Sequence, residues 1–558
     1  MSTATAVRPD QPSAPGRAPR NGGALAGTGT LIRFNLRRDR IRLPVWVFVL
    51  LLITLSTASS LEAAYPDAAD RARAAETMNS PQGLAMSGPA HYLTDYHYGS
   101  MLAHQTISFA SVLVGIMSVL IITRHTRTEE ETGRAELVRA GVVGRHAHLT
   151  AALSVAVIAN AVLGLLHTAA LSGYSAAGFT AEGALLYGAQ TALIGIVFAA
   201  VAAVTVQITP HSRGASGWAM AVIGASYAIR AAGDAAGADG SASWLSWLSP
   251  IGWVLYTYPY VDNRWWPLLI CLAAIAALVW LAFRFSVLRD LGAGLRAARP
   301  GRPVGSDALA TPLGFALRLH RGLLIGFAVG LALLGLMYGS ILGDAEEMME
   351  GIDALEEAVA ELGGSVIEAF ATMIMIPLAV VAAIYAVMAP LRARSEETSG
   401  RAEPLLATGL SRTRWLAGHL VVGLAGSTLI MALGGFFFGL AGAASSDQDG
   451  LTMELTGAAL AYAPAFWVTV GVAAALIGWL PRAAPAAWAV PAGVFLIGYL
   501  GVLFDFPQWV MNLDPFGHVP DLPSAEMNWT PLAILTAVAV LLLAAGLAGI
   551  RRRDLELK

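Results

Sequence analysis

Long apolar runs recur along the whole chain and are separated by short polar loops. A bilayer core is spanned by about 20 mostly apolar residues in helical conformation. In the first half of the sequence, such runs lie at 43–63, 101–123, 147–171, 184–208, 217–234 and 266–287. In the second half they lie at 322–342, 366–390, 416–441, 456–480, 486–504 and 531–550. The pattern predicts an all-α polytopic membrane protein with about 12 transmembrane helices, of which the fifth and eleventh are short and rich in Gly and Ala.

The composition supports the same class of protein. Only 13% of the 558 residues are charged, 56% are hydrophobic, and the mean hydropathy is +0.61. A soluble domain carries about 25% charged residues. Arginine replaces lysine almost completely, and Ala and Gly are abundant. This composition is typical of a protein from a high-GC bacterial genome. We therefore predict a multi-pass protein of a bacterial plasma membrane.

Arginine placement predicts the orientation of the spans. Arginines cluster ahead of the first and seventh spans and in the loops after even-numbered spans, whereas an acidic run at 344–361 follows the seventh span. Cytoplasmic loops carry the excess of basic residues. Both termini are therefore predicted to be cytoplasmic, which agrees with an even number of spans.

One charged loop occurs twice. Residues 127–145 read RTEEETGRAELVRAGVVGR and residues 394–412 read RSEETSGRAEPLLATGLSR. Nine of these 19 aligned positions are identical, while the flanking spans share only their hydrophobicity. Surface helices also carry such charges, since glutamate and arginine four residues apart stabilise a helix. Because the identity is retained selectively in a loop, it favours a surface that contacts a partner. The glutamates are expected at exposed positions where substitution costs little stability.

The repeat predicts two parallel six-helix halves. We assign 1–28 to a disordered cytoplasmic tail, 29–287 to the first half, 288–312 to a cytoplasmic linker and 313–558 to the second half. Short basic amphipathic segments at 30–42 and 313–321 precede the first span of each half, and both are predicted to form interfacial helices. The acidic run is predicted to form an external amphipathic helix.

The motif R-x-E-E-x-x-G-R-x-E between the second and third spans resembles the coupling-helix region of type-2 ABC exporter permeases. The basic interfacial helix and an aromatic segment at 249–267, which contains WLSPIGW and RWWP, are similar to that class as well. Two six-span halves in one chain resemble its actinobacterial branch, the "exporter of polyketide antibiotics" or tetronasin-resistance permeases. The resemblance covers nearly the whole chain beyond residue 28.

The resemblance implies an ATP-driven exporter of hydrophobic, drug-like compounds, with this chain as the transporter subunit rather than the enzyme. It implies two copies of a separate ABC ATPase subunit, which bind ATP and magnesium, so this chain itself binds no cofactor. The implied coupling residues are Glu129, Glu130, Gly133, Arg134, Glu136, Glu396, Glu397, Gly400, Arg401 and Glu403. The two glycines are expected to break the helix, and Pro404 in place of Leu137 predicts two inequivalent docking sites.

The lysine content fits a separate motor subunit. A P-loop requires G-x-x-x-x-G-K-[ST], whose lysine reaches the nucleotide phosphates. The only lysine is Lys558, the last residue. The sequence therefore excludes nucleotide hydrolysis by a P-loop within this chain.

Aromatic residues and methionines concentrate on the second and fifth spans of each half. Such stripes are usually packing, but they also suit a path for bulky apolar cargo. The candidate path residues are Phe109, Met117, Trp218, Tyr227, Phe370, Met373, Tyr385, Trp488, Phe495 and Tyr499. Arg230 and Glu368, predicted near the outer side, fit a structural ion pair or a water-facing position as well as a substrate contact.

Two other classes compete with the exporter. A proton-coupled multidrug antiporter of the major facilitator type also has parallel six-span halves, but its loops carry a D-R-x-G-R core, and Glu368 is the one obvious intramembrane carboxylate here. A membrane enzyme requires clustered carboxylates or histidines at one membrane face. The sequence carries no motif typical of nucleic-acid or metal binding.

Overall fold

The computed structural model describes residues 23–141, 143–236, 243–290, 292–296, 303–344, 365–500 and 507–554. The chain divides into two compact units, Met1–Pro300 and Gly301–Lys558. Each unit has its own hydrophobic core, and the described residues form helices, turns and loops without a β-strand. The all-α class predicted from the apolar runs is therefore confirmed. The predicted external helix in the acidic run lies almost wholly outside the described residues.

The first unit is built from long helices joined by short ones. Small glycine and alanine residues allow these helices to approach closely. At Gly164, for example, an added Cβ would lie 2.5 Å from the Gly188 carbonyl oxygen. The helices are α1 Thr28–Arg38, α2 Arg42–Ala64, α3 Ala68–Met78, α4 Pro81–Met86, α5 Tyr98–His125, α6 Arg127–Glu131, α7 Arg134–Arg139, α8 Ala147–Ser172, α9 Ala181–Ile208, α10 Ser212–Ala235, α11 Pro250–Leu255 and α12 Pro267–Leu288.

The described residues of the second unit follow a similar order of helices. Its last long helix packs against the one before it through Gly546, where an added Cβ would meet the backbone of Ala474 at 2.5 Å. The helices are α13 Pro312–Gly339, α14 Val366–Thr398, α15 Ala402–Leu406, α16 Arg412–Ser446, α17 Leu451–Ala461, α18 Ala463–Trp479, α19 Ala489–Leu500, α20 Gln508–Met511 and α21 Trp529–Arg552.

Ten helices in the described residues are long and apolar enough to cross a membrane, five in each unit. They match the predicted spans except the fifth and the eleventh. Helix α10 is long enough for the fifth span but carries Arg213, Arg230 and Asp234 within 24 residues. Helix α19 has 12 residues, about 18 Å at 1.5 Å per residue, and residues 501–506 are outside the described part. The fifth and eleventh spans stay predictions.

The two basic amphipathic segments differ in structure. Helix α1 ends at Arg38 and is separated from α2 by a turn at Asp39–Ile41. In the second unit, 313–321 forms the first turns of α13, which continues without interruption to Gly339. The prediction of a separate interfacial helix is therefore wrong for the second half. The turn in the first unit follows from Asp39, whose buried carboxylate contacts Arg124 and His125 on α5.

Candidate functional site: the duplicated motif

Both copies of the motif contain a sharp break in the helix. Gly133 lies between α6 and α7 with a φ of 72°, and Gly400 lies between α14 and α15 with a φ of 73°. A residue with a Cβ is disfavoured by about 1–2 kcal/mol in this left-handed conformation. The helix break predicted at the two glycines is therefore present, and each glycine directs the chain into a short helix, α7 or α15.

In the first copy, Glu130 lies between two arginines just before the break. Arg127 Nη1 is 2.5 Å from Glu130 Oε2, and Arg289 donates from Nη2 to Oε1 at 2.6 Å and from Nη1 to Oε2 at 2.8 Å. The side chains of Arg127, Glu130 and Arg289 are 0%, 4% and 8% exposed. Glu130 is thus a buried carboxylate neutralised by two guanidinium groups.

The second copy repeats this arrangement. Arg394 Nη1 is 3.1 Å from Glu397 Oε2, and Arg553 donates to both oxygens of Glu397 at 2.6 and 2.8 Å. The Glu397 side chain is fully buried. We call each set, Arg127–Glu130–Arg289 and Arg394–Glu397–Arg553, an Arg–Glu–Arg cluster.

The expectation that these glutamates occupy exposed, mutation-tolerant positions is wrong. Glu397 lies within the helix of the preceding span, and Glu130 lies in α6, which follows that helix after one intervening residue. In both units the arginine after the last helix covers the carboxylate. Sequence reasoning also missed Arg289 and Arg553 as partners. A signal was present, because the tripeptide Arg-Asp-Leu follows the last span of each half, at 289–291 and at 553–555.

The other glutamate of each pair shares one partner in the two copies, the arginine after the glycine, and differs in the second. Arg38 of α1 donates to Glu129 at 2.7 Å, and Arg134 lies 3.6 Å from the same oxygen. Next to Arg38, Asp39 Oδ2 lies 2.6 Å from His125 Nε2, and Asp39 Oδ1 lies 3.1 Å from Arg124 Nε. Helix α1 is therefore attached to the first motif by Arg38, and the next residue, Asp39, attaches it to the end of α5.

Glu396 is instead bound within its own segment. Arg392, one turn earlier, donates to it at 3.0 Å, and Arg401, just after the glycine, donates at 2.7 and 3.2 Å. The hydrogen bond to Glu396, with the charge of that carboxylate, raises the pKa of the Arg401 guanidinium, so it stays charged. The Glu396 contacts thus brace the helix break from both sides.

The solvent-exposed part of each copy is the short helix after the glycine. Arg134, Glu136 and Leu137 are exposed in α7, where 79% of the Leu137 surface is accessible. At the equivalent positions Arg401, Glu403 and Pro404 are exposed in α15. Each motif therefore combines a buried ionic base with an exposed helical tip, and the tips differ at Leu137 and Pro404.

The predicted substrate-path residues of the first half are only partly brought together. Phe109 is half exposed and lines a cavity of about 390 Å³, and the ring of Tyr227 lies 6.4 Å from the Phe109 ring. Met117 is fully buried in the core, and Trp218 is exposed. The cavity is lined by uncharged residues, among them Leu50, Thr54, Met78, Met86, Gln105, Thr106, Leu113 and His167.

In the second half the predicted path residues do not form one site. Tyr385 is buried with its hydroxyl donating to the Val422 carbonyl, Phe370 and Met373 are half-buried, and Trp488 is 41% exposed. The side chains of Phe495 and Tyr499 lie outside the described residues. A separate apolar recess of about 650 Å³ is lined by other side chains, from α16, α17, α18 and α21.

Arg230 and Glu368 both have structural partners. Arg230 lies 3.4 Å from Asp234, both side chains being fully buried, and Asp234 accepts a hydrogen bond from Ser246 at 2.7 Å. Arg230 also donates to the backbone carbonyls that end helix α4. Glu368 forms a capping box with Ser365 at the start of α14. The ion pair therefore links α4, α10 and the turn at Ser243–Leu248.

Two comparisons place the chain among known proteins. The family described as "Multidrug efflux system permease Rv1217c, C-terminal domain" matches residues 29–285 and 309–551. The multidrug efflux system permease protein Rv1217c of Mycobacterium tuberculosis is 40% identical over 552 residues, which cover 97% of each chain. Together with the ten apolar helices, these matches identify a multi-pass membrane transporter. The chain belongs to the Rv1217c family of efflux system permeases.

Proposed function

We propose that the chain is the membrane-spanning permease of an ATP-driven ABC exporter. Two copies of a separate ATPase subunit bind ATP and magnesium and dock on the two motifs at the cytoplasmic side, where both termini lie. The permease moves hydrophobic drug-like compounds out of the cell. The relative's description as a multidrug efflux permease supports this class of cargo.

The observation that carries the proposal is the duplicated helical tip. In both units a left-handed glycine directs an exposed short helix away from a buried ionic base. A motif that served only to pack spans would have no need to expose the same arginine and glutamate after the glycine twice. Two related tips support two copies of one kind of partner.

The two tips differ enough to make the docking sites inequivalent. Leu137 gives the first tip a large apolar side chain, whereas Pro404 stands at the equivalent position of the second tip, whose helix covers five residues instead of six. Burying a leucine side chain that was exposed to water contributes about 1.5–3 kcal/mol. We therefore expect the first tip to bind the ATPase subunit more tightly.

The cavity beside Phe109 supports the proposed cargo. Sites for small molecules have volumes of about 300–1,000 Å³ and combine apolar walls with a few polar groups. Met78, Met86 and Phe109 supply adaptable apolar walls, and Thr54 and His167, which hydrogen-bond each other at 3.0 Å, supply a polar corner. Uncharged walls suit a neutral hydrophobic compound. The resemblance to polyketide-antibiotic exporters points to cargo of the same character.

The proton-coupled antiporter is supported less well. A carboxylate that carries protons must exchange them during transport. Glu368 is engaged in a capping box at the start of its helix, and Asp234 is paired with Arg230. Neither arrangement resembles a relay along a transport path.

Reconstitution tests the proposal. The chain would be co-expressed with a candidate ABC ATPase subunit from the same genome, placed in proteoliposomes, and assayed with ethidium as a fluorescent hydrophobic cation and a neutral hydrophobic dye in parallel. We expect transport to require the ATPase and ATP, and to persist when an uncoupler collapses the proton gradient. Transport driven by a pH gradient in the chain alone, abolished by Glu368→Gln, would overturn the proposal.

A further inference from the structure

Arg289 and Arg553 occupy equivalent places at the ends of the two units. Each is the first residue after the last long helix, α12 or α21, and each has an extended backbone conformation there. Neither belongs to the duplicated motif, from which each is separated by more than a hundred residues. Both nevertheless bind the second glutamate of that motif through two hydrogen bonds.

Each arginine also contacts a third element. The Nε of Arg289 donates to Gln207 Oε1 at 2.6 Å, near the end of α9. The Nε of Arg553 donates to the Ile477 carbonyl at 3.1 Å, near the end of α18. One guanidinium group in each unit therefore connects the motif, the fourth long span and the last span. A different acceptor is used in each unit, but the three connected elements are the same.

The chemistry of this junction requires arginine. A guanidinium group is planar and presents a fixed fork of donors, so it can bind a carboxylate with two nitrogens while its Nε binds another acceptor. A lysine would keep the charge but offers a single ammonium group. The side chains of Arg289 and Arg553 are 8% and 14% exposed, so water cannot readily replace the lost contacts.

We propose that Arg289 and Arg553 are positioning residues that make each coupling motif move as one body with the fourth and last spans. The inference rests on the proposed function, since it assigns the route by which movement at α7 or α15 reaches the membrane. The glutamate lies three residues before the hinge glycine, so its arginine fixes the base of the moving helix. Without that fixed base, the short helix would move while the fourth and last spans kept their positions.

The double variant Arg289→Lys/Arg553→Lys tests this role in the complex with the ATPase. ATP hydrolysis and dye transport would be measured in the same proteoliposomes, with Arg551→Lys, an exposed arginine two residues from Arg553, as the matched control. In the double variant we expect the amount of dye transported per ATP hydrolysed to fall about tenfold, while the basal rate of ATP hydrolysis stays within about twofold of the parent. A loss of this size is typical when the coupling between two sites is removed. An unchanged ratio in the double variant would overturn the proposal.

A second measurement does not depend on transport or on yield. Spin labels at Glu403→Cys and Arg551→Cys, in a Cys271→Ala background, report the distance between the second tip and the last span. With the natural arginine we expect the same distance with and without ATP, and with Arg553→Lys a distance that changes on ATP binding. The same response of this distance to ATP in the parent protein and in Arg553→Lys would contradict a linking role for Arg553. If the parent complex shows no ATP-dependent transport, the proposed function fails instead.

Discussion

In the first copy of the motif Glu130 is held by Arg127 and Arg289, and in the second copy Glu397 is held by Arg394 and Arg553. The neighbouring glutamates correspond only in part, since both lie near the arginine that follows the glycine, Arg134 at 3.6 Å and Arg401 at 2.7 Å. Glu129 binds Arg38 on a separate helix, whereas Glu396 binds two arginines of its own segment. The two copies thus share their most buried contacts and differ in the contacts that attach them to the rest of each unit.

This difference separates two roles within one motif. A carboxylate buried between two guanidinium groups tolerates little change, because removing the carboxylate leaves two uncompensated positive charges in a low-dielectric site. The partially exposed attachments can change, since water replaces part of what is lost. The shared cluster sets the geometry of the helix break, and the variable contacts determine how firmly each motif is attached to its surroundings.

The largest expected effect comes from reversing the buried charge. Glu130→Lys and Glu397→Lys each place a third cation among two arginines, and breaking a buried ion pair costs about 3–5 kcal/mol. We expect both variants to unfold at a much lower temperature than the parent protein in detergent, and by similar amounts. Thermal unfolding monitored by tryptophan fluorescence is the measurement.

Glu136→Lys and Glu403→Lys are the matched controls, because they make the same substitution at exposed positions six residues further along. Surface substitutions of this kind change stability by about 0.5 kcal/mol or less. A Glu130→Lys protein as stable as Glu136→Lys would show that the Arg–Glu–Arg cluster does not hold the motif. Unequal losses for Glu130→Lys and Glu397→Lys would show that the two clusters are not equivalent.

A smaller effect, confined to the first unit, is expected from Asp39→Asn. The amide carries no negative charge, so it can neither neutralise Arg124 nor offer His125 a charged acceptor, and a lost hydrogen bond to a charged group costs about 1.5–3 kcal/mol. We expect amide hydrogen exchange in Thr28–Arg38 to become faster while exchange in Pro312–Gly339 is unchanged. Glu396→Gln is the control in the second unit, where the basic segment is continuous with the span. Unchanged exchange in α1 would contradict the attachment.

The order of long helices followed from the sequence because a run of about 20 apolar residues has few other stable arrangements in a bilayer. The break at Gly133 and Gly400 was also predictable, since glycine between charged helical segments marks a change in backbone conformation. The uncertain fifth and eleventh spans were the ones with the shortest apolar runs, rich in Gly and Ala. These features all depend on local sequence.

The burial of Glu130 and Glu397 was not predictable in the same way. Their partners Arg289 and Arg553 are distant in sequence, and a charged loop gives no sign of which carboxylates it encloses. Dependence on distant contacts also explains why a separate interfacial helix was wrongly predicted at 313–321. The pattern of arginines and apolar residues there matches 30–42, but this segment, all of which the structure describes, has no counterpart of the buried Asp39 that turns the chain. The repeated Arg-Asp-Leu was the available signal, and it requires comparing the two halves beyond the motif itself.

The smallest effect on stability, and the sharpest test of the difference between the tips, comes from exchanging Leu137 and Pro404. Leu137 is 79% exposed, so Leu137→Ala should change the stability of the permease by about 0.5 kcal/mol or less. If its side chain is covered by the ATPase subunit, truncation should weaken binding at the first site by more than about 1 kcal/mol. Calorimetric titration of the ATPase onto the permease in nanodiscs would then show one weakened site and one unchanged site.

Pro404→Leu should have the reverse effect and make the second site resemble the first. Two sites that stay indistinguishable in all three proteins would mean that the ATPase reads only the shared Gly-Arg-Ala-Glu sequence, and that the divergence of the tips has no consequence for docking.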